Sequence, residues 1–471
     1  MGTAFGRRAR QAVLILLFCV ILFLSSTLRG GEKESEEEIT VHSRDEALEY
    51  ILSITPLYNP VIFAAMERIN QARADVRSAA AKMGPSLSGE VLARINDAPR
   101  NQGRGVYSAS LNLVQTIFAG GRLTADKKAA ELALSATKAE SVRTYQNTLN
   151  SVRTTYYEVL RALAQLRVAN ESLNMSKEHL KQTDALYRGG MAPRGDVLRV
   201  RVSVSGAEQE RIRAQTNLDV NWAALERAVG AQLSKAEILP PIYEDSAYEL
   251  QPPDYDIPEG VLVERAFIQR PEIQAYDLYR RRAEELVRST KGARLPQITF
   301  SGNYNIAGGD YDDNPEDTWY VQLTLQWLIF DSGEISSQVE RLQSAARELL
   351  YQMEDLNSQI RQEVVQSELW MQSAVKRLAV AEEQAVNARE DYRLALRRYE
   401  AQVGTNLDVL DSRSSLTESQ AAYVNAVYDI AIAQSGLIYT MGDDTPQEGL
   451  FGGGYRDVEF TEETSRGEEV K

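Results

Sequence analysis

A chain of 471 residues carries 67 acidic side chains against 52 basic ones, a net charge of −15, with one cysteine and two histidines. The negative balance argues against a nucleic-acid partner, whose phosphates would repel it. A single cysteine rules out a disulfide framework, and the length allows two or three ordinary domains.

Arg7, Arg8 and Arg10 precede an apolar run from Ala12 to Leu24. At about 13 residues the run suits a secretory leader and falls short of the ~20 needed for a membrane helix. Residues 1–30 therefore read as a signal peptide, cleaved between Ser25 and Gly30. Cys19 lies inside it and lacks the small residues that precede a lipidated cysteine. Residues 31–45 follow as an acidic linker, with Glu32 to Glu38 read as solvated. No later segment is apolar enough to be a membrane helix, so an exported chain of this kind that spans a membrane must use strands.

Residues 46–230 form a first repeat of helix, strand, strand, very long helix and return helix. Strand 86–95 sets Leu87, Val91 and Ile95 against Ser88, Glu90 and Arg94. Strand 106–117 sets Leu111 and Leu113 against Ser108, Ser110 and Asn112. Asn96 to Gly105 joins them as a polar loop. A proline-free helix over about 123–187 has a polar seam at Thr137, Ser141, Thr144 and Thr148. The turn Gly189-Gly190-Met191-Ala192 leads to a return helix over 195–229. Residues 231–270, with Pro240-Pro241, Pro252-Pro253 and Pro258, read as a linker without regular structure.

Residues 271–442 repeat the pattern. Strand 297–306 alternates Ile298, Phe300, Gly302, Tyr304 and Ile306 with polar residues. Strand 319–329 does the same with Trp319, Val321, Leu323, Leu325 and Trp327. Ala307 to Thr318 joins them as an exposed loop. The helix over 334–399 carries apolar residues at alternating steps of four and three from Ile335 to Tyr399, broken only by Ser367. That 3.5-residue period predicts a left-handed coiled coil, in a rod of roughly 100 Å. A return helix over 407–441 and an acidic, disordered tail over 443–471 complete the chain.

The two halves are copies. Tyr187 to Leu198 aligns with Tyr399 to Leu410 at an offset of 212, which also carries Ile117-Phe118 and Gly121 onto Ile329-Phe330 and Gly333. Upstream the offset is 211, taking Asn59-Pro60 onto Arg270-Pro271, so a one-residue slip falls between Pro85 and Ser110. The strands, each of about ten residues with one apolar face and interfacial aromatics, fit a transmembrane β-barrel; a soluble half-buried sheet alternates in the same way. Four strands cannot close a barrel, and an open sheet edge in lipid leaves backbone groups unpaired. In a membrane the chain must therefore share one barrel among several copies, three giving twelve strands.

Asn59-Pro60, Arg270-Pro271-Glu272, the two Ile-Phe to Gly junctions, Tyr187-Arg-Gly-Gly190 with Asp196-Val-Leu198, and Leu407-Asp408-Val-Leu-Asp411 with Ser415-Leu416 occur twice over in order. In this combination the chain resembles the TolC family of outer-membrane efflux and secretion ducts from about Glu46 to Gly442. The resemblance implies an α+β membrane protein: a homotrimer with a shared twelve-stranded β-barrel continuous with a long periplasmic α-helical barrel. It implies a passive exit duct working with a periplasmic adaptor (membrane fusion protein) and an inner-membrane transporter, in efflux or type I secretion. A structural coiled-coil protein of the envelope stays as an alternative, and a secreted enzyme is a second.

The resemblance assigns the periplasmic aperture to Asp408 and Asp411, with Tyr399 beside them and Asp196 tying the closed tips. The chain departs where some members carry an arginine four residues before Asp408: it has Gly404. Arg199, at the position matching Asp411, is a candidate for the missing cation. The alternative for Asp196 and Asp408 is that of acids favoured at helix N-termini. Gly189, Gly190, Met191, Ala192, Val403 and Gly404 are candidate adaptor contacts or simple turn residues. Gly121 and Gly333 are bends from strand into helix, and Trp319 and Trp327 anchors at the lipid bilayer interface or parts of a soluble core. His42 and His179 read as solvated, and no catalytic, metal or cofactor constellation emerges.

Overall fold

The computed structural model describes residues 44–95, 105–239, 257–309, 316–446 and 450–451. The expected leader, His42, most of the proline-rich linker and residues 452–471 lie outside them. The elements run α1 (Arg44–Tyr58), α2 (Pro60–Ala81), β1 (Ser86–Ile95), β2 (Gly105–Ala119), α3 (Arg122–Arg188), α4 (Arg194–Val229), α5 (Lys235–Ile238), α6 (Glu259–Gln269), α7 (Pro271–Gly292), β3 (Gln297–Gly309), β4 (Glu316–Gln326), α8 (Glu334–Glu400) and α9 (Asn406–Met441). None of the described helices is long and apolar enough to cross a membrane.

The strands form one antiparallel sheet in the order β1-β2-β3-β4. Its register places the apolar side chains together. Leu87 sits opposite Leu113, Leu113 opposite Gly302 and Gly302 opposite Val321. The next such row runs Gly89, Leu111, Tyr304, Trp319. Ser88, Asn112, Asn303 and Tyr320 share the other face, where Asn303 donates to Asn112 at 2.5 Å. The apolar side chains lie open: Leu87 is 70%, Val91 85% and Leu323 69% exposed, so none of the described residues covers this face.

The duplication holds strand by strand. Ser86 pairs with Val114, and their counterparts Gln297 and Gln326 pair likewise; Ile95 with Gly105 becomes Ile306 with Asp317. The one-residue slip therefore falls between the paired strands. The loop between β3 and β4 is shorter than Ala307 to Thr318, because Ala307 and Glu316 still pair.

Beyond the sheet the long helices lie side by side as a wall, with α6 packed across α8 and α9. Along the lower part the neighbours are α4, α3, α9 and α8 in turn; higher up, α2 and α7 flank α3, and α7 also meets α8. Both long helices have 67 residues, ~100 Å at 1.5 Å per residue. They differ sharply in burial: 25 residues of α3 are buried and 9 of α8. Helix α3 has neighbours on both sides, whereas α8 has one side open, exposing Tyr351, Leu369, Trp370, Val380 and Val386. On the far edge α4 exposes Leu198, Val202, Ile212 and Val220.

Both the linker and the tail depart from expectation. The 231–270 linker is partly helical, and Leu262, Val263 and Ala266 of α6 pack on Ile360, Val364, Leu437 and Met441. The segment after Gly442 begins ordered: Asp444 forms a two-pronged ion pair with Arg153 (2.6 and 2.7 Å), and Phe451 sits edge-on to Tyr145 in a buried cluster with Ile62 and Val142. Burial of Phe451 and a charge-assisted fork outweigh the polarity that made the whole tail look solvated.

Candidate functional site

The lower end of the wall consists of two helix hairpins. The α3–α4 turn ends α3 at Gly189, whose N–H bonds the Ala185 carbonyl, and puts Gly190 at φ 72°. Met191 donates its N–H to the Leu186 carbonyl and exposes its side chain. Ala192 is half-buried. In the α8–α9 turn Gln402 takes φ 59°, and the Arg398 carbonyl accepts from both Val403 (2.9 Å) and Gly404 (3.0 Å). Val403 is 77% exposed, so each tip displays one apolar side chain. A Cβ on Gly404 would lie 2.9 Å from the Arg398 Cβ, so the turn closes too tightly for a side chain there.

Asp408 caps α9. Its carboxylate accepts from the Thr405 N–H at 3.0 Å, while the Thr405 hydroxyl accepts from the Asp408 N–H at 3.2 Å, a reciprocal capping box. The backbone and hydroxyl hydrogen bonds to Thr405 hold its pKa below the usual carboxylate value. Asp411 is exposed one turn on. Asp196 occupies the matching turn of α4 and is approached at 3.6 Å by Arg199. Arg199 thus pairs locally, one turn away on its own helix, and in the single chain it does not fill the position left by Gly404.

Tyr399 is buried. Its hydroxyl donates to Thr183 of α3 at 3.5 Å, and its ring lies edge-on to His179, 5.3 Å between centroids. His179 itself is 1% exposed, which overturns the reading of a solvated histidine on a helix face. Its Nε2 meets Oδ1 of Asn406, the first residue of α9, at 2.7 Å. Arg413 of α9 donates to the Ser176 hydroxyl of α3 and, at 2.7 Å, to Ser203 of α4. Sequence reasoning missed both His179 and Arg413 as links between hairpins. The i, i+3 and i, i+4 relation of His179 to Ser176 and Thr183 marks one stripe of α3, but which stripe faces α9 is a tertiary fact.

At the upper end, Gly121 and Gly333 stand at φ 78° and 93° as N-caps of α3 and α8. Trp319 is 72% exposed on β4. Trp327 falls just past the strand, with its Nε1–H donating to the Arg294 carbonyl at 3.0 Å. The expected strand 319–329 is therefore cut short at Gln326. The matching segment of β2 stays extended because β3 pairs with it, and Trp327 to Phe330 have no such neighbour among the described residues. Among the described residues there is no His, Cys, Asp or Glu cluster that could hold a metal ion.

This architecture has known relatives. The chain is 21% identical over 404 residues to the outer membrane protein TolC of Vibrio cholerae, covering 83% of this chain and 89% of that one. It is 25% identical over 395 residues to the outer membrane efflux protein BepC of Brucella suis, covering 81% and 83%. The solved CmeC outer membrane channel of Campylobacter jejuni superposes with a TM-score of 0.71 at 18% identity, covering 88% of this chain and 90% of that one. The model of the family described as outer membrane efflux protein matches residues 56–231 and 262–443, one match on each half of the duplication. The chain belongs to the outer membrane efflux protein family, the family of the TolC channels, and is an outer-membrane protein.

Proposed function

We propose that three copies of this chain close a twelve-stranded barrel in the outer membrane, continuous with a periplasmic helical barrel, and form a passive exit duct. A periplasmic adaptor meets the tips at Met191 and Val403, and an inner-membrane transporter supplies the energy, in a tripartite efflux pump or type I secretion system. The observation that carries this reading is the pair of open edges, β4 and β1, related by the duplication. Within the chain β2 pairs with β3; carried forward by the two offsets, the same geometry pairs β4 with β1 of the next copy. Leu111 opposite Tyr304 becomes Leu323 opposite Ala93, and Leu113 opposite Gly302 becomes Leu325 opposite Val91. Phe118 opposite Ile298 becomes Phe330 opposite Leu87, which gives the unpaired run after Gln326 a neighbour. In these rows apolar residues meet apolar residues. The same operation lays the open side of α8 on α4 and α2 of the next copy, where the exposed apolar residues of α8 and α4 supply the contact.

The register is testable by oxidative cross-linking. With Cys19 replaced by serine, Leu325→Cys with Val91→Cys is expected to yield covalent dimers and trimers, while Leu325→Cys with Gly89→Cys or Ala93→Cys yields few. Cross-linking in a shifted pair would change the register but keep the ring; none in any pair would remove the ring.

In the proposed ring the aspartates of three α9 N-termini converge at the aperture, where like charges repel and bind cations. Asp408→Asn with Asp411→Asn is expected to raise single-channel conductance in planar bilayers and to abolish block by millimolar divalent cations. Unchanged conductance and block would confine Asp408 to its cap and keep the duct.

A further inference from the structure

We propose that His179 is a proton-sensitive latch: while its imidazole is neutral it ties the α8–α9 hairpin to the α3–α4 hairpin, and protonation releases the tie. The inference rests on the reading of the tips as an aperture, and it names the device that holds that aperture shut in a chain whose tight turn at Gly404 excludes a long cation.

The latch is built from groups that all leave solvent. His179 is 1% exposed, Asn406 3%, Thr183 0% and Tyr399 6%. They come from both hairpins, His179 and Thr183 from α3, Tyr399 from the end of α8 and Asn406 from the start of α9. With Asn406 Oδ1 accepting at 2.7 Å, Nε2 carries the hydrogen and Nδ1 is a bare lone pair. Nδ1 is buried and has no hydrogen-bond partner among the described residues, and the same holds for Asn406 Nδ2 and Arg413 Nε. A second proton would therefore create an N–H with no acceptor and a charge with little solvent, in a site where both are costly.

The charged and titratable groups around the ring act in opposite senses. From α9, the Arg413 guanidinium disfavours an imidazolium; from α4, the Asp196 carboxylate favours one; α8 presents the Tyr399 ring. Burial is the largest influence; it outweighs the Asn406 hydrogen bond, which favours the imidazolium, and holds the His179 pKa below the usual 6.5. The sign follows. Well above pH 6.5 the ring is neutral whether the hairpins are joined or parted, and the balance between them is independent of pH. Below it, a parted hairpin exposes the ring, which takes a proton at its ordinary pKa, while the joined form resists until its own lower pKa is reached. Each pH unit in that window shifts the balance toward the parted form by up to about tenfold per latch. The hydrogen bonds from Thr405 hold the Asp408 carboxyl below its usual range and so further from this window.

The test uses the mature protein in planar bilayers between pH 7.5 and 5.5, beside His179→Gln, whose amide N–H retains a donor for Asn406 and does not titrate. Wild-type conductance is expected to rise several-fold as the pH falls through 6.5, with the variant flat. An equal response in both, or none in wild type, overturns the latch. A second readout does not depend on conduction. Val409 lies fully buried on α9 beside the latch. In Val409→Cys protein lacking Cys19, the rate of thiol labelling relative to the unfolded chain is expected to climb below pH 6.5 and to lose that climb with His179→Gln. Labelling that changes without any current would sustain the latch and remove the duct; labelling indifferent to pH would remove the latch.

Discussion

Arg270→Ala is expected to destabilise the protein by about 3 kcal/mol, because it leaves buried partners of a guanidinium uncompensated. The Arg270 side chain is 1% exposed. It donates from Nε to the Thr440 carbonyl at 2.7 Å and from Nη2 to Glu363 at 2.6 Å, and lies 3.9 Å from Glu272. Glu272 in turn holds Arg143 at 2.7 Å, and Arg143 lies 3.8 Å over the Tyr439 ring. Burial pushes the Arg143 pKa down, Glu272 pushes it up and Arg270 pushes it down again, so removing Arg270 relieves one repulsion while orphaning a carbonyl and weakening a carboxylate's pairing. The duplication supplies a control. The counterpart of Arg270 is Asn59, whose Nδ2 donates to the Ala228 carbonyl at 2.6 Å and whose Oδ1 accepts from Val61 and Ile62 at the start of α2. Ala228 is the counterpart of Thr440, so an asparagine can serve the same carbonyl. Arg270→Asn should recover roughly two thirds of the loss, through one hydrogen bond and one helix cap worth about 1 kcal/mol each. Urea unfolding followed by circular dichroism measures both. Equal losses for alanine and asparagine would assign the whole effect to the charges.

The long helices and four strands were legible because their periods are strong and lie in separate parts of the chain. Every seam position of α8 from Ile335 to Tyr399 is buried or half-buried, Ser367 included. The polar seam of α3 was harder to read. Thr137, Ser141, Thr144 and Thr148 look like a weak core, yet α3 is the more buried helix. Each hydroxyl bonds the carbonyl four residues back, at 3.0, 2.8, 3.0 and 2.9 Å, so small residues cover their own polar atoms and let neighbouring helices approach. Helix α6 was hidden by the prolines before it, although Leu262, Val263, Ala266 and Phe267 repeat at helical spacing. The Asp408 cap was legible as an acid at a helix start, Thr405 three residues earlier completing the box. The burial of His179 was not: α3 has neighbours on most of its surface, and periodicity within one helix says little when most of its faces are covered.

Gly120→Ser is expected to cost about 3–5 kcal/mol and to leave little folded protein, although serine stands at the corresponding place in the second repeat. Gly120 has φ 62° and Ser332 has φ 53°, so both accept left-handed backbone where strand turns into helix. What differs is the space. A Cβ on Gly120 would lie 2.3 Å from the Gly292 carbonyl oxygen and 2.8 Å from the Leu295 Cβ, and a Cβ on Gly292 would lie 2.6 Å from the Gly120 carbonyl oxygen. The first junction is thus a backbone-to-backbone contact between the end of β2 and the end of α7, which a hydroxymethyl group would force apart. Ser332 is held instead by its neighbour: the Asp331 carboxylate accepts from the Gly333 N–H at 3.0 Å and the Ile335 N–H at 2.8 Å, and these bonds keep its pKa low. Ser332→Gly should therefore lie within about 0.5 kcal/mol of wild type. Detergent-extractable yield and thermal unfolding compare the two; a Gly120→Ser protein that melts with the wild type would show that the junction can open without loss. The asymmetry also fits the proposed ring. There the residue facing Ser332 across the subunit boundary is Ala81 of the next copy, the counterpart of Gly292. A methyl group on that side keeps the two backbones further apart, which leaves room for the serine that the first junction cannot hold.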